Sequence, residues 1–367
     1  MQPEELKYYI AIELIPGVGS VLAKRLIAYC GGAEAVFKSK QHSLQKIPGI
    51  GNILSREIST QEVLKKAEEE LRFIEKHKIK VLCYTDPHYP ERLRQCEDGP
   101  VVLFSKGNID FNQGKFLSVV GTRHSTAYGT TVCEKIIGGL AERGHQVVIV
   151  SGLAYGIDIC AHRAALQHRL HTIAVMATGL NTIYPSSHAA IAKQITEQGA
   201  CVSDFTSGTA LDRKNFLKRN RIIAGLSDAT LVVESHAKGG ALVTCDIAAS
   251  YHRDVLACPG RAGDTASEGC NSLIRLNKAA LVQNAEEIEY ALGWESAATP
   301  KQLPLFNDFT EEEQSIINIL KNKEQETIDQ LSYQSNIPVG RLSSLLLGLE
   351  FKDIVKSLPG KQYMLRP

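Results

Sequence analysis

The stretch FLSVVGTRHSTAYG, residues 116–129, joins a short apolar run to a turn of small residues. A run of this length, closed by glycine and lacking polar alternation, is the pattern of a strand buried on both faces of a sheet. Gly121 and Thr122 permit a close backbone approach, and Arg123 supplies a rigid fork of donors. Tyr128 and Gly129 then lead into a helical stretch.

Outward from this stretch the same grammar repeats. Upstream lie IKVLCY (79–84) and VVLFS (101–105); downstream lie QVVIV (146–150), TIAVMA (172–177), ACVSDF (200–205), TLVVE (230–234), DVLAC (254–258) and AALVQ (279–283). Helical stretches such as 129–143 and 187–198 separate them, which predicts an α/β domain with a doubly wound, mostly parallel sheet ending near Trp294. In such a sheet ligands bind beyond the carboxyl ends of the strands, so the loops there carry the chemistry. They read GTRHSTAYG, SGLAYGIDICAH, TGLNTIYP, SHAKGGALVTCD and PGRAGDTASEGCNSLI. Five glycine-bearing turns on one rim describe a surface that offers amide N–H groups to phosphates or a carboxylate.

Just before TLVVE comes DRKNFLKRNR (212–221), five basic residues against one Asp. The chain as a whole has 41 Lys and Arg against 40 Asp and Glu. No overall field draws in a polyanion, so any affinity for one rests on a local patch such as this. At helical spacing Lys214, Lys218 and Arg221 share one face, while Phe216, Arg219, Asn220 and Ile223 point elsewhere. Phe216 is open to two readings, a stacking platform or core packing; Arg219 and Asn220 likewise divide between ligand contacts and structural hydrogen bonds. Lys238, Gly239 and Gly240 precede the next helix and extend the same rim.

The flanks differ in texture. Residues 1–75 form a small all-α domain with a partial repeat, LIPGVGSVLAKRLI (14–27) and KIPGIGNILSREI (46–58). Each opens an amphipathic helix with a Pro-Gly turn of the helix-hairpin-helix kind, and both phosphate binding and simple helix breaking fit it. The doubly wound domain spans 76–295, and SAATPKQLPLF falls in a linker over 296–308. From 309 to 367, three helices and a β-like end follow the order of a winged helix. This tail carries seven basic against eight acidic residues, which disfavours reading of duplex DNA and leaves a protein-contact or structural role.

Several chemistries drop out. GTRHSTAYG lacks the GxGxxG spacing of a dinucleotide site, and GNIDFNQGKF (107–116) fails the P-loop pattern. Asp158 and His162, four apart on a helix, lack a third metal ligand, so no metal, cofactor or catalytic residue is expected. The nine cysteines are scattered without a CxxC pair, and no apolar run reaches membrane-spanning length. MQPEELKYYI lacks the plan of a signal peptide, and a cytoplasmic protein without membrane association is expected.

VGTR (120–123), SGLAYGID with its following AH (151–162), GLNTIYP (179–185), FLKRNRIIAGLS (216–227), VVES and GGALVT (232–244), PG (259–260) and GCNSLI (269–274) resemble, in order and spacing, the DNA-processing protein A family, DprA or Smf. The resemblance covers roughly 85–290. It implies an extended Rossmann-like domain that binds single-stranded DNA without known catalysis, forms a homodimer and helps load RecA recombinase in natural transformation. The implied pocket uses Arg123, the turns Ser151–Gly152 and Gly239–Gly240, and Phe216, Lys218, Arg219, Asn220 and Arg221; Gly121, Thr122 and Lys238 adjoin it. Two departures stand out. Ala241 replaces a usual Ser and removes a hydroxyl donor, and Asn277, Lys278 and Ala279 replace a usual Gly-Ala after NSLI. The rival class is a LOG-type phosphoribohydrolase acting on nucleoside monophosphates, but GGALVTCD lacks its second glycine and offers Asp246 where that class has Glu, with Glu234 at the strand end. A third reading is a scaffold whose basic helix meets an acidic partner.

Overall fold

The computed structural model describes residues 3–294, 309–321, 323, 325–352, 354–358 and 361–365. The chain divides into two compact units, Met1–Ala298 and Thr299–Pro367. The linker expected over 296–308 lies outside the described residues.

All nine sequence runs become strands of one sheet: β1 (Lys80–Cys83), β2 (Val102–Gly107), β3 (Lys115–Val120), β4 (Val147–Ser151), β5 (Thr172–Val175), β6 (Ala200–Ser203), β7 (Ala229–Val232), β8 (Asp254–Ala257) and β9 (Ala280–Leu281). Their spatial order is β1-β2-β6-β5-β4-β3-β7-β8-β9. From β5 to β9 this is the 3-2-1-4-5-6 order of a Rossmann sheet, and β6 extends it in parallel. The outer two strands run the other way, since β2 is antiparallel to β6 and β1 to β2.

Strand periodicity sorts the core into two layers. In β3 and β4, Phe116, Val120, Val148 and Val150 face one side, where the helices Arg213–Gly225 and Gly240–Ser250 pack through Ile222, Ile223, Cys245 and Ala248. Leu117, Val119, Val147 and Ile149 face the other, under the helices Ala127–Glu142 and Ile157–Gln167. Side chains at i and i+2 share a face, so an unbroken apolar run fills both layers at once. All nine cysteines are free, and every one except Cys30 is buried. They act as small apolar fillers.

The N-terminal helices build a third core that includes Cys83, Val101, Val102 and Phe104 from the antiparallel edge of the sheet. Their two Pro-Gly turns place Gly17 and Gly49 at φ +82° and +88°, in the left-handed region that favours glycine. Arg25 donates from the helix Ser20–Cys30 to the carbonyl of Pro48 at 2.8 Å and so ties the two turns together.

Glu13 ends the helix Pro3–Glu13 and accepts from the Val101 N–H at 3.0 Å, pinning that helix to β2. Burial, reinforced by Asp204, pushes its carboxyl from the usual 4.5 up to about 7, against the pull of Arg221. Between those values the folded chain holds a proton that the unfolded chain has released, so stability falls as pH rises through that window. Urea unfolding is expected to show about 2–3 kcal/mol less stability at pH 8 than at pH 5 from this group, and Glu13→Gln flattens the profile. An unchanged profile in the variant refutes the assignment.

In the second unit, the helices Glu311–Lys321, Ile328–Ser335 and Val339–Phe351 pack around Ile316, Leu320, Leu331, Leu342 and Leu346. A small antiparallel sheet, β10 (Glu326–Thr327), β12 (Gln362–Leu365) and β11 (Val355–Leu358) in that order, completes a winged-helix arrangement.

Candidate functional site

The switch point of the sheet lies between β3 and β7, where chain connections leave to opposite faces. An open cleft of about 380 Å³ sits there, toward the lower end of the volumes of small-molecule sites. Its floor and walls come from the turn after β3 (Val120 to His124), from Ala154 and Asp158 after β4, and from Ser235, His236 and Gly239 to Ala241 after β7. The basic helix Arg213–Gly225 closes one side.

Two glycines of this rim are dictated by crowding. A Cβ on Gly239 would lie 2.2 Å from Ser235 Oγ, and one on Gly152 would lie 2.4 Å from an Arg219 guanidinium nitrogen. At Gly240 the space is open, and the helix Gly240–Ser250 begins there with first-turn amides that no carbonyl of the helix can take.

Glu234 organises the turn after β3. Its side chain is fully buried and accepts from the Thr126 N–H at 2.8 Å and the Thr126 hydroxyl at 2.6 Å. Its carbonyl accepts from the Thr122 N–H at 2.7 Å. Gly129 completes this anchor, since a Cβ there would lie 2.6 Å from the Glu234 carboxylate. Arg123 is thereby held on a fixed loop with its own side chain exposed, its guanidinium 5.4 Å from the centre of the Phe216 ring.

Arg219 has a different part. It is 3% exposed, and its guanidinium donates to the carbonyl of Gly152 at 2.7 Å and to that of Val175. Burial pulls its pKa down to about 10, against the support of Asp158. Asp158 in turn accepts from the amides of Gly152 and Ala154 at 3.1 and 3.4 Å. Burial raises its pKa, and Arg219 opposes the rise. His162 is not its partner: Nδ1 of His162 meets the Thr172 hydroxyl at 2.7 Å, and burial, with Arg219 and His188 adding to it, holds the ring down to about 3. Burial thus holds this imidazole in its neutral form at physiological pH.

The basic helix parts the expected site residues. Phe216, Arg219 and Asn220 face the cleft together with Gly121, Thr122, Arg123, Gly239 and Gly240. Lys218 and Arg221 lie on the opposite flank, against the first N-terminal hairpin. Arg221 is not free there: it pairs with Asp204 at 2.5 Å and donates to the Asp98 carbonyl. Burial would lower its pKa, but Asp204 and Asp98 more than offset that and raise it. Ser151 and Gly152 sit beneath the rim, where the Ser151 hydroxyl donates to the Val119 carbonyl at 2.6 Å. Lys238 is exposed on the turn before Gly239. Phe216 is half-buried rather than packed into the core, its ring 5.6 Å from that of Tyr184 in an edge contact.

Some residues of the cleft escaped the sequence reading of the site. Arg213 and His124 line the cleft, and Tyr184, 44% exposed, extends its aromatic wall. Arg213 was visible as one of five basic residues, whereas nothing in TGLNTIYP signals that its Tyr meets Phe216 across 32 residues of chain. Arg123 and Arg213 take part in no hydrogen bond or ion pair among the described residues. The described residues contain no group of three or more His, Cys, Asp or Glu that could hold a metal ion. No described helix is long and apolar enough to cross a membrane. The arrangement is a cationic, glycine-lined cleft with one aromatic wall, suited to an anion that also presents a flat ring.

A model of the family described as DNA recombination-mediator protein A matches residues 80–293. A DprA winged helix domain model matches 296–361. The chain is 32% identical to Protein Smf of Synechocystis sp., with 100% of both chains covered. It is 40% identical to the DNA processing protein DprA of Streptococcus pneumoniae over 203 residues, 55% of this chain and 71% of that one. Among solved structures, DNA processing protein A of Streptococcus pneumoniae superposes with a TM-score of 0.67 at 31% identity, covering 79% of this chain and 98% of that one. DNA processing protein A of Helicobacter pylori, whose structure was described for its single-stranded DNA binding mode, gives a TM-score of 0.53 at 26% identity over 59% of this chain and 95% of its own.

Proposed function

Since the chain belongs to the DNA recombination-mediator protein A family, the DprA or Smf proteins, we propose that it captures single-stranded DNA, largely independently of sequence, in the cleft at the switch point. In this reading it acts as a homodimer and passes the strand to RecA recombinase in natural transformation or recombination; the family's description as a recombination mediator supports that step. The single observation that carries DNA capture is the cleft itself. Arg123 and Arg213 stand unpaired among the described residues beside the Phe216–Tyr184 wall and the N-terminus of the helix Gly240–Ser250.

Each part has a physical task. Arg123 and Arg213 hold phosphates, with the amides at Gly239 and Gly240 adding donors. Phe216 and Tyr184 offer ring faces that any base can stack on, which is why sequence preference is weak. Asn220 lends its side-chain amide to a base edge, and Gly121 and Thr122 let the backbone of the strand come close. Arg219, Ser151 and Gly152 hold this surface in place from beneath, while Lys238 adds charge at the rim.

Binding without catalysis is supported by Glu234, the carboxylate that base release from a nucleoside monophosphate would need. Both of its oxygens already accept from Thr126.

The test is fluorescence anisotropy of a labelled oligo-dT and a duplex of equal length over a range of salt. The single strand is expected to bind more tightly, and Arg123→Ala to weaken it about tenfold while lowering the salt slope by about 0.7, the share of one phosphate contact. Thermal stability is unchanged, because the side chain is exposed. Equal affinity and slope in the variant overturn the assignment of the cleft.

A further inference from the structure

A second cleft, of about 620 Å³, lies on the other flank of the basic helix. Leu14, Val18 and Leu22 of the first N-terminal hairpin form one wall, and Phe205 and the basic helix form the other. Asp204, which follows β6, also lines it. The Asp204 side chain is 8% exposed, and its Oδ2 is taken by Arg221 at 2.5 Å. Its Oδ1 is buried and has no hydrogen-bond partner. A buried acceptor left unmade is costly, so this atom marks where a donor belongs.

The rim has the opposite demand. Lys218 is exposed and takes part in no hydrogen bond or ion pair among the described residues. Beside it the helix Ser20–Cys30 begins after Gly19, an extended N-cap without a side-chain bond. The interior therefore calls for an N–H or O–H, and the rim for an anion. In the interior Arg221 is already taken by Asp204, with Asp98 and Glu13 beside them, so among the described residues no free cation is left there for a phosphate, and these acids are not grouped to hold a metal ion.

The geometry points to a second subsite for the single strand, in which one base enters this cleft, gives an amino N–H to Asp204 Oδ1, and leaves its phosphate at the rim with Lys218. This rests on the reading of the chain as a single-strand binder. The two clefts share the basic helix as a common wall, and a helix with its side chains is about 10–12 Å across. About three stacked nucleotides at about 3.4 Å each span it. Amino-bearing bases suit the acidic interior better than thymine, whose only ring donor is flanked by two carbonyl oxygens.

Gly19 allows a clean block. It has an extended backbone at φ −93°, and a Cβ built on it meets nothing within 4 Å. Gly19→Phe and wild type are titrated with labelled oligo-dC and oligo-dT of about two nucleotides, too short to span the helix, and of about twelve. The variant is expected to bind the short strands as wild type does, to bind the long oligo-dC about tenfold more weakly, and to lose a several-fold preference for dC over dT. Lys218→Ala, at an exposed position, weakens only the long strands, by about threefold. Long strands bound alike by wild type and both variants, with the same base preference, sink the subsite and leave the switch-point cleft standing. Failure of wild type to bind either length overturns both readings.

Discussion

Arg219→Ala is expected to lower the free energy of unfolding by about 3–5 kcal/mol, the range for breaking a buried charge network at one partner. The guanidinium is 3% exposed and joins three elements: it rises from the basic helix, donates to the Gly152 carbonyl beyond β4 and to the Val175 carbonyl at the end of β5. Its loss orphans both carbonyls and strands the buried Asp158 carboxyl without its main counter-charge. Arg219→Lys keeps the charge but cannot serve two carbonyls from one ammonium, so a smaller loss follows. Urea denaturation measures both, and a loss under about 1 kcal/mol for the alanine variant would show that water replaces the guanidinium without cost. Arg219→Ala and Arg123→Ala are both expected to weaken DNA binding, but only the first does so by loosening the fold.

Glu234→Ala follows the same logic at the neighbouring loop, with an expected loss of about 3 kcal/mol. Hydrogen bonds to a charged group contribute about 1.5–3 kcal/mol each, and this carboxylate accepts two from Thr126 in a fully buried setting. Glu234→Gln should lose less, because its carbonyl oxygen still accepts one of the two while the other meets an NH2 group. Hydrogen exchange at the Thr126 amide is the local readout, expected to quicken in both variants, and an unchanged rate contradicts the anchoring role. A catalytic Glu234 would behave otherwise: the Gln variant would lose base release from a nucleoside monophosphate with its fold intact.

These effects show where the linear chain is informative and where it is not. The unbroken apolar runs around FLSVV announced a sheet buried on both faces, because period-2 geometry sends Phe116 and Val120 to one layer and Leu117 and Val119 to the other. The glycine turns announced the rim, because a Cβ on Gly239 would lie 2.2 Å from Ser235 Oγ. Helical spacing also placed Lys218 and Arg221 on a different flank from Phe216 and Asn220.

Tertiary structure alone decided what each charge does. Arg213, Lys218, Arg219 and Arg221 read alike in DRKNFLKRNR, yet two are exposed, one is spent on carbonyls 67 and 44 residues away, and one is tied to Asp204. Periodicity sets the direction in which a side chain leaves its helix. The cost of burying a guanidinium, by contrast, depends on which acceptors distant strands bring to that point, and so does the freedom of its neighbours to meet a phosphate. The antiparallel edge of β1 and β2 and the contact of Tyr184 with Phe216 were decided in the same way, by packing between segments far apart in the chain.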